Sequence, residues 1–249
     1  MATGRQNHTK AQPQFRKTLH TDEAISAKRG RAQNEYVEIV DDFFGDAGQA
    51  LGRPWVYTET GTSTNPTGDF VSGVGAGVFR LLHSADSEAQ TMRVDHGDTL
   101  MINMSKKPRI EIRAKLDFAG ATFSADQRAV FGLASTYNAT LDNIATNAWF
   151  RVEGANLNIL AEVDDGTTDT DDFDTGADIV DNTFVVFEID ASDLTAVQFR
   201  VDGVLVATKA MSALAANTYV QPICAIQRDA GTEAEKLDID YIQVTYERP

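Results

Sequence analysis

The densest chemistry in the chain lies between Glu162 and Asp181, where nine acids (Glu162, Asp164, Asp165, Asp169, Asp171, Asp172, Asp174, Asp178, Asp181) occur with no Lys or Arg among them. Carboxylates this close repel one another unless water or a cation lies between them. Hard oxygen donors interleaved with Thr and Gly suit Ca²⁺, which takes about six to eight oxygen ligands. Asp169, Asp171, Asp172 and Asp174 are therefore the candidate ligands of a bound Ca²⁺, the one cofactor the residues suggest. The spacing departs from an EF-hand loop, because Thr170 and Phe173 stand where ligands or the sharp-turn Gly belong. The competing reading is a solvated acidic hairpin, a surface that would also receive a basic segment from a neighbouring copy.

Other reactive side chains are sparse. His8 and His20 lie near the N-terminus, His83 near a strand end, and His96 in Asp95-His96-Gly97-Asp98, whose residue types favour a turn over a hydrolytic dyad. No Gly-x-Ser-x-Gly elbow supplies a nucleophile. Cys224 sits in the apolar run from Val220 to Ile226 and reads as a buried strand residue. As the single cysteine it cannot form an intramolecular disulfide, which suits folding in a reducing compartment. Glu188-Ile189-Asp190 places two acids on one side of a strand, with Asp193 following.

The elements that must position these groups are strands. Ile110, Ile112, Ala114, Leu116 and Phe118 alternate with charged residues, the pattern of a half-buried antiparallel strand. Leu157, Ile159, Ala161 and Val163 alternate likewise, as do Val197, Phe199 and Val201. Asp202-Gly203 then forms a two-residue hairpin turn into Val204-Leu205-Val206-Ala207. Further strands are expected at 36–40, 55–60, 71–82, 90–94, 99–104, 129–134, 148–152, 183–189, 219–227 and 237–246. In the last of these the apolar phase shifts between Tyr241 and Ile242, the mark of a bulge. Short helices are expected only around 124–128 and 211–216. About a dozen strands with almost no helix predict an all-β, antiparallel two-sheet jelly-roll sandwich.

Charge divides the chain. Of 22 basic and 37 acidic residues in 249, residues 1–33 hold seven basic and two acidic, a net of +5, and the remainder carries −20. Residues 1–34 are read as an extended basic arm and 35–249 as one domain. The arm is too poor in apolar residues to fold alone, apart from a short helix expected around 21–28. Its partner-binding residues would be Arg5, Lys10, Arg16, Lys17, Lys28, Arg29 and Arg31, with Phe15, Leu19 and Ile25 as apolar anchors. Nucleic acid is an unlikely partner, since no aromatic residues alternate with these bases and the acidic body repels phosphate. No stretch approaches the roughly 18 apolar residues of a membrane-spanning helix, and no secretory signal is seen at the N-terminus.

Residues 184–190 followed by Ala196-Val197-Gln198-Phe199-Arg200-Val201-Asp202-Gly203, and the closing Leu237-Asp238-Ile239-Asp240-Tyr241-Ile242-Gln243-Val244, resemble the paired and final strands of concanavalin A-like jelly rolls such as laminarinase-type glucanases and laminin-G-like domains. The resemblance covers roughly residues 145–249. It implies the fold; an enzyme of that family would add two carboxylates about 5–5.5 Å apart, carried as Glu-x-Asp-x-x-Glu or Glu-x-Asp-x-Glu on one strand. Glu188-Ile189-Asp190-Ala191-Ser192-Asp193 comes near this pattern but lies directly before the Asp202-Gly203 hairpin, whereas the family's catalytic strand lies well upstream. Glu162-Val163-Asp164-Asp165 lacks the third acid. No catalytic residue is assigned, and a non-enzymatic role is expected.

A basic arm on an acidic jelly roll is the layout of proteins that decorate and stabilise tailed-phage capsids. The main expectation is therefore a virion structural protein on the capsid surface, assembled in the host cytoplasm. Its partners would be the major capsid protein and further copies of itself. The alternative is a carbohydrate-binding lectin-like module, for which Trp55, Tyr57, Trp149 or Tyr137 would have to offer an exposed sugar platform. A divergent glucanase is the third reading.

Overall fold

A computed structural model describes residues 35–45, 47–61, 66–73, 77–120 and 122–248. The ten arm residues proposed above, and the helix expected at 21–28, lie outside the described residues. Along the chain run β1 (Tyr36–Asp41), β2 (Val56–Thr60), β3 (Thr67–Phe70), β4 (Phe79–Leu82), β5 (Gln90–Asp95), β6 (Ile102–Asn103), β7 (Arg109–Asp117) and β8 (Gln127–Ala134). They are followed by β9 (Asn147–Glu153), β10 (Asn158–Asp164), β11 (Asp169–Asp178), β12 (Val185–Asp190), β13 (Val197–Val201), β14 (Val204–Lys209), β15 (Tyr219–Arg228) and β16 (Lys236–Glu247).

Two antiparallel sheets form. The first runs β14-β13-β12-β7-β16-β4-β3 with β1 beside β16, and the second β11-β10-β9-β8-β15-β5-β2 with β6 beside β15. Each strand turns alternate residues inward. Ile110, Ile112, Ala114 and Leu116 of β7 are at most 3% exposed, and they face the equally buried Ala129, Phe131 and Leu133 of β8 and their neighbours in one core. Phe187 of the first sheet stacks on Phe131 of the second at 4.6 Å with the rings 8° apart, and Phe150 meets Phe199 edge-on at 5.2 Å. These pairs weld the layers together, because aromatic contact adds to the gain from burial alone.

The expected two-sheet sandwich is observed, with local corrections. The run expected at 71–82 divides: β3 ends at Phe70, and Val71 N donates to Val78 O at 2.8 Å to close a hairpin before β4. The expected strand at 99–104 contracts to Ile102–Asn103 and leads into a 3₁₀ turn at Met104–Lys106. No helix forms at 124–128 or 211–216. Gln127 and Arg128 instead open β8, where pairing with β9 and β15 overrides a weak local preference. The bulge expected in the last strand is present: Ile239 pairs with Ala114 and Tyr241 with Arg113, leaving Asp240 as the extra residue. The Asp202-Gly203 turn forms as expected, with both residues at positive φ, 49° and 80°.

Candidate functional site

The second sheet has an outward face as well as a core face, and the outward face carries the polar chemistry. On β8, β9, β10 and β15 the residues out of phase with the core are Arg128, Trp149, Arg151, Glu153, Asn158, Leu160, Glu162 and Gln227. Part of this face is covered by the chain itself. The loop 135–146, between β8 and β9, folds back so that Tyr137, Leu141 and Ile144 pack on Val130, Trp149, Ile223 and Ala225, a second apolar cluster apart from the core. The Arg93 guanidinium lies 3.9 Å from the Tyr137 ring centre, and Tyr137 N donates to Asp98 Oδ1 at 2.8 Å. Burying two aliphatic side chains and an aromatic one holds the loop down by roughly 1.5–3 kcal/mol each.

Beside this loop the face stays open as a groove made of two depressions that share Arg128. One, of about 370 Å³, is bordered by Glu153, Asn156, Asn158, Asp172 and Asp174 around Leu160. The other, of about 170 Å³, is bordered by Thr140, Asp142, Gln227 and Asp229. The walls are held in place by their own bonds. Arg128 Nη1 reaches Asp229 at 2.6 Å, and Asn158 Nδ2 donates to Asp174 Oδ2 at 3.0 Å. Gln227 Nε2 donates to Ala139 O at 3.1 Å and Asp229 Oδ1 at 3.0 Å. Planar amide, carboxylate and guanidinium groups fixed around a small apolar patch suit a ligand rich in hydroxyls.

An acidic corner adjoins the groove. Oxygens of Glu162, Asp169 and Asp171 all lie within 4.8 Å of one another. Glu162 is 1% exposed; Asn147 Nδ2 donates to its Oε1 at 3.1 Å and Arg151 Nη1 to its Oε2 at 3.2 Å. Burial nonetheless pushes the Glu162 carboxyl up to about 7, with the Trp149, Arg151 and Asn147 side chains around it. Asp169 is pushed up to about 6 by burial and by the carboxyls of Asp171, Asp164 and Asp142.

The four proposed Ca²⁺ ligands are thus not brought together. Asp169 and Asp171 join Glu162, while Asp172 and Asp174 border the groove, because β11 is a strand that sends neighbouring residues to different places. The corner fits Ca²⁺ poorly: both Glu162 oxygens are occupied by donors, and the Arg151 charge 3.2 Å from Glu162 Oε2 repels a second cation. The acidic-hairpin reading agrees with the pairing of β10 with β11.

The remaining sequence candidates separate. Glu188 and Asp190 lie on the outward face of the first sheet, in a depression of about 390 Å³ where Glu188 pairs across strands with Glu111, and Arg109 Nε reaches Asp190 at 3.1 Å. Asp193 lies beyond the end of β12 and accepts from Thr195 N at 2.9 Å, so the acid row is not continuous. Glu162 and Asp164 do share a face of β10, but Glu162 is sealed. His96 is buried with its ring 4.7 Å from Trp55, inside the expected turn, where Gly97 N donates to Asp95 Oδ1 at 2.7 Å. Cys224 is fully buried, and burial pushes its thiol up. Trp55 and Trp149 are buried, and Tyr57 and Tyr137 half-buried, so none of the four forms the exposed platform that a lectin reading expected. No motif in the sequence marks the groove residues Arg128, Asn156, Asn158, Gln227 and Asp229. For Arg128, Asn158 and Gln227 the only sequence signal is a shared parity of polar residues on strands whose other face is core; Asn156 and Asp229 lie in loops and carry none.

No protein-family model matches the sequence, and comparison with curated protein sequences finds no relative. Solved structures do match. A protein of unknown function from Shewanella oneidensis MR-1 superposes with a TM-score of 0.62 at 15% identity, over 86% of this chain and 87% of that one. An endo-1,3-beta-glucanase from Streptomyces sioyaensis gives 0.61 at 15% identity, over 86% and 97%. The carbohydrate recognition domain of Emp47p gives 0.56 at 10% identity, over 85% and 95%. The fold is that of the concanavalin A-like jelly rolls, as the strand resemblance implied.

Proposed function

We propose that the protein is a non-catalytic carbohydrate-binding module whose ligand lies in the groove on the outward face of the second sheet. The observation that carries this reading is the groove itself: an open polar trough, fixed by its own hydrogen bonds, four of whose rim carboxylates are already bonded to Asn158, Arg128 or Arg151. A retaining glycosidase needs two such groups about 5–5.5 Å apart with the sugar between them. Here the carboxyl best tuned for acid catalysis, Glu162, is sealed under Arg151 and Asn147. Two of the structural neighbours, by name a glucanase and a carbohydrate recognition domain, act on or recognise sugars, which supports a glycan as the ligand class. The expectation of a capsid-decorating protein rests on residues 1–33, outside the described residues, and draws no support from the groove or the neighbours.

A shallow groove gives weak single-site binding, on the order of 0.1–1 mM, or about 4–5.5 kcal/mol. A glycan array probed with the full chain, followed by calorimetric titration of the best binder, tests the reading. Asn158→Ala and Asp174→Ala are each expected to weaken binding about five- to tenfold, through loss of a hydrogen-bonded wall. A blank array, or binding indifferent to both substitutions, overturns the proposal. Release of reducing ends from the bound glycan would restore the enzyme reading.

A further inference from the structure

Resting on the glycan reading above, we infer that the groove selects sugars bearing free, protonated amino groups and turns away uronic and sulfated glycans. Two separate observations lead there. The first is charge. Asp142, Glu153, Asp172, Asp174 and Asp229 border the two depressions against one lining base, Arg128. That base is already engaged, by Asp229 at 2.6 Å and Glu153 at 3.9 Å. Beneath the surface Arg151 is divided among Asp142, Glu153 and Glu162 at 2.5, 2.5 and 3.2 Å. Among the described residues no cation in the groove is left for a carboxylate or sulfate on the ligand. Nearby, burial and then the carboxyls of Asp171, Asp164 and Asp142 push Asp169 up to about 6.

The second observation is hydrogen-bonding capacity. Gln227, 9% exposed, gives its Nε2 hydrogens to Ala139 O and Asp229 Oδ1, while its buried Oε1 has no partner. Asp172 is held out on the rim by backbone at φ 50°. The unmet capacity at these two residues is that of acceptors. An ammonium group offers three donors and no acceptor, whereas a carboxylate offers acceptors alone. An amino sugar therefore meets the groove in both charge and bonding, an N-acetylated sugar in bonding only, and the carboxylate of a uronate in neither.

The test is calorimetric titration of the full chain at pH 6 with four hexasaccharides: glucosamine, N-acetylglucosamine, β-1,3-linked glucose and galacturonate. At low salt the glucosamine hexamer is expected to bind about tenfold more tightly than its N-acetylated form, as two exposed ion pairs would provide. The gap is expected to shrink as salt screens the groove, and to narrow about threefold in Asp172→Asn. Galacturonate is expected not to bind. Equal affinity for the amino and N-acetylated hexamers, a gap indifferent to salt, or uptake of galacturonate overturns the selectivity and leaves the glycan reading standing. Failure of all four hexamers together with a blank glycan array overturns both.

Discussion

Arg151 Nη1 stands 3.2 Å from Glu162 Oε2, and the same guanidinium holds Asp142 and Glu153 at 2.5 Å each. One buried arginine thus serves three carboxylates on the outward face of the second sheet, and the sealed acid among them is out of balance with its surroundings. Taking a carboxylate out of water costs more than an arginine shared three ways returns.

That imbalance has a sign. The folded Glu162 carboxyl is raised from 4.5 to about 7, so between those values the folded state holds a proton that the unfolded chain has released. This contribution to stability is full below pH 4.5 and is lost as pH rises through 7, on the order of 3 kcal/mol over the window. Glu162→Gln is expected to flatten this part of the profile and to narrow the gap between urea midpoints at pH 5 and pH 8. A profile unchanged by the substitution would show that Glu162 is ionised throughout.

His83 works in the opposite direction. It is 1% exposed, and burial, then the Arg228 charge, lowers it from 6.5 to about 3, a shift that the Gln127 side chain partly offsets. Below pH 6.5 the unfolded chain gains a proton that the folded one refuses until about 3, so stability is lost as pH falls through that range, by roughly 5 kcal/mol at its foot. His96, lowered to about 4 by burial, adds to the loss. The wild-type chain is expected to unfold on acidification, and His83→Gln to shift the acid midpoint downward; an unmoved midpoint would assign the transition to other groups.

Arg228, 0% exposed, donates to four main-chain carbonyls: Ser84 O at 2.9 Å, Asp86 O at 2.5 Å, Glu88 O at 3.3 Å and Glu233 O at 2.8 Å. It ties the loop after β4 to the loop after β15. Arg228→Met would remove all four of these bonds and is expected to destabilise by about 3–5 kcal/mol. Hydrogen exchange should rise in residues 84–90 and 230–235 ahead of the sheets. Arg228→Lys is expected to rescue little, since one ammonium cannot reproduce the planar fork.

Gly132 lies on β8 opposite Trp149 and Ile223. A Cβ there would sit 2.4 Å from Ala148 O and 2.7 Å from Trp149 Cα, both rigid backbone. Gly132→Ala is expected to cost about 1–3 kcal/mol, and to alter Trp149 fluorescence in a Trp55→Phe background. A stable variant with unaltered emission would show that β8 and β9 can part at no cost.

The fold was readable because inward positions repeat every second residue. The alternation at Ile110, Ile112, Ala114 and Leu116, the Asp202-Gly203 turn and the phase shift near Tyr241 are local patterns that pairing then satisfies. The groove was not readable, because Arg128, Asn158 and Gln227 meet only when β8, β10 and β15 take their places in the sheet, and the order β10-β9-β8-β15 is not a local property. The acids 169–174 looked like one ligand set because they are adjacent in the chain. A strand with irregular pairing to β10 divides them between a corner and a rim.

Among the described residues β11 is also the outer strand of its sheet, paired only with β10, and it carries five aspartates along ten residues. A free edge of this kind is a template on which like molecules stack into fibrils. Two copies meeting there would set aspartates against aspartates, so the row of charge works as a gatekeeper against self-aggregation. The guard is electrostatic: salt, which screens the row of charge, would disarm the edge.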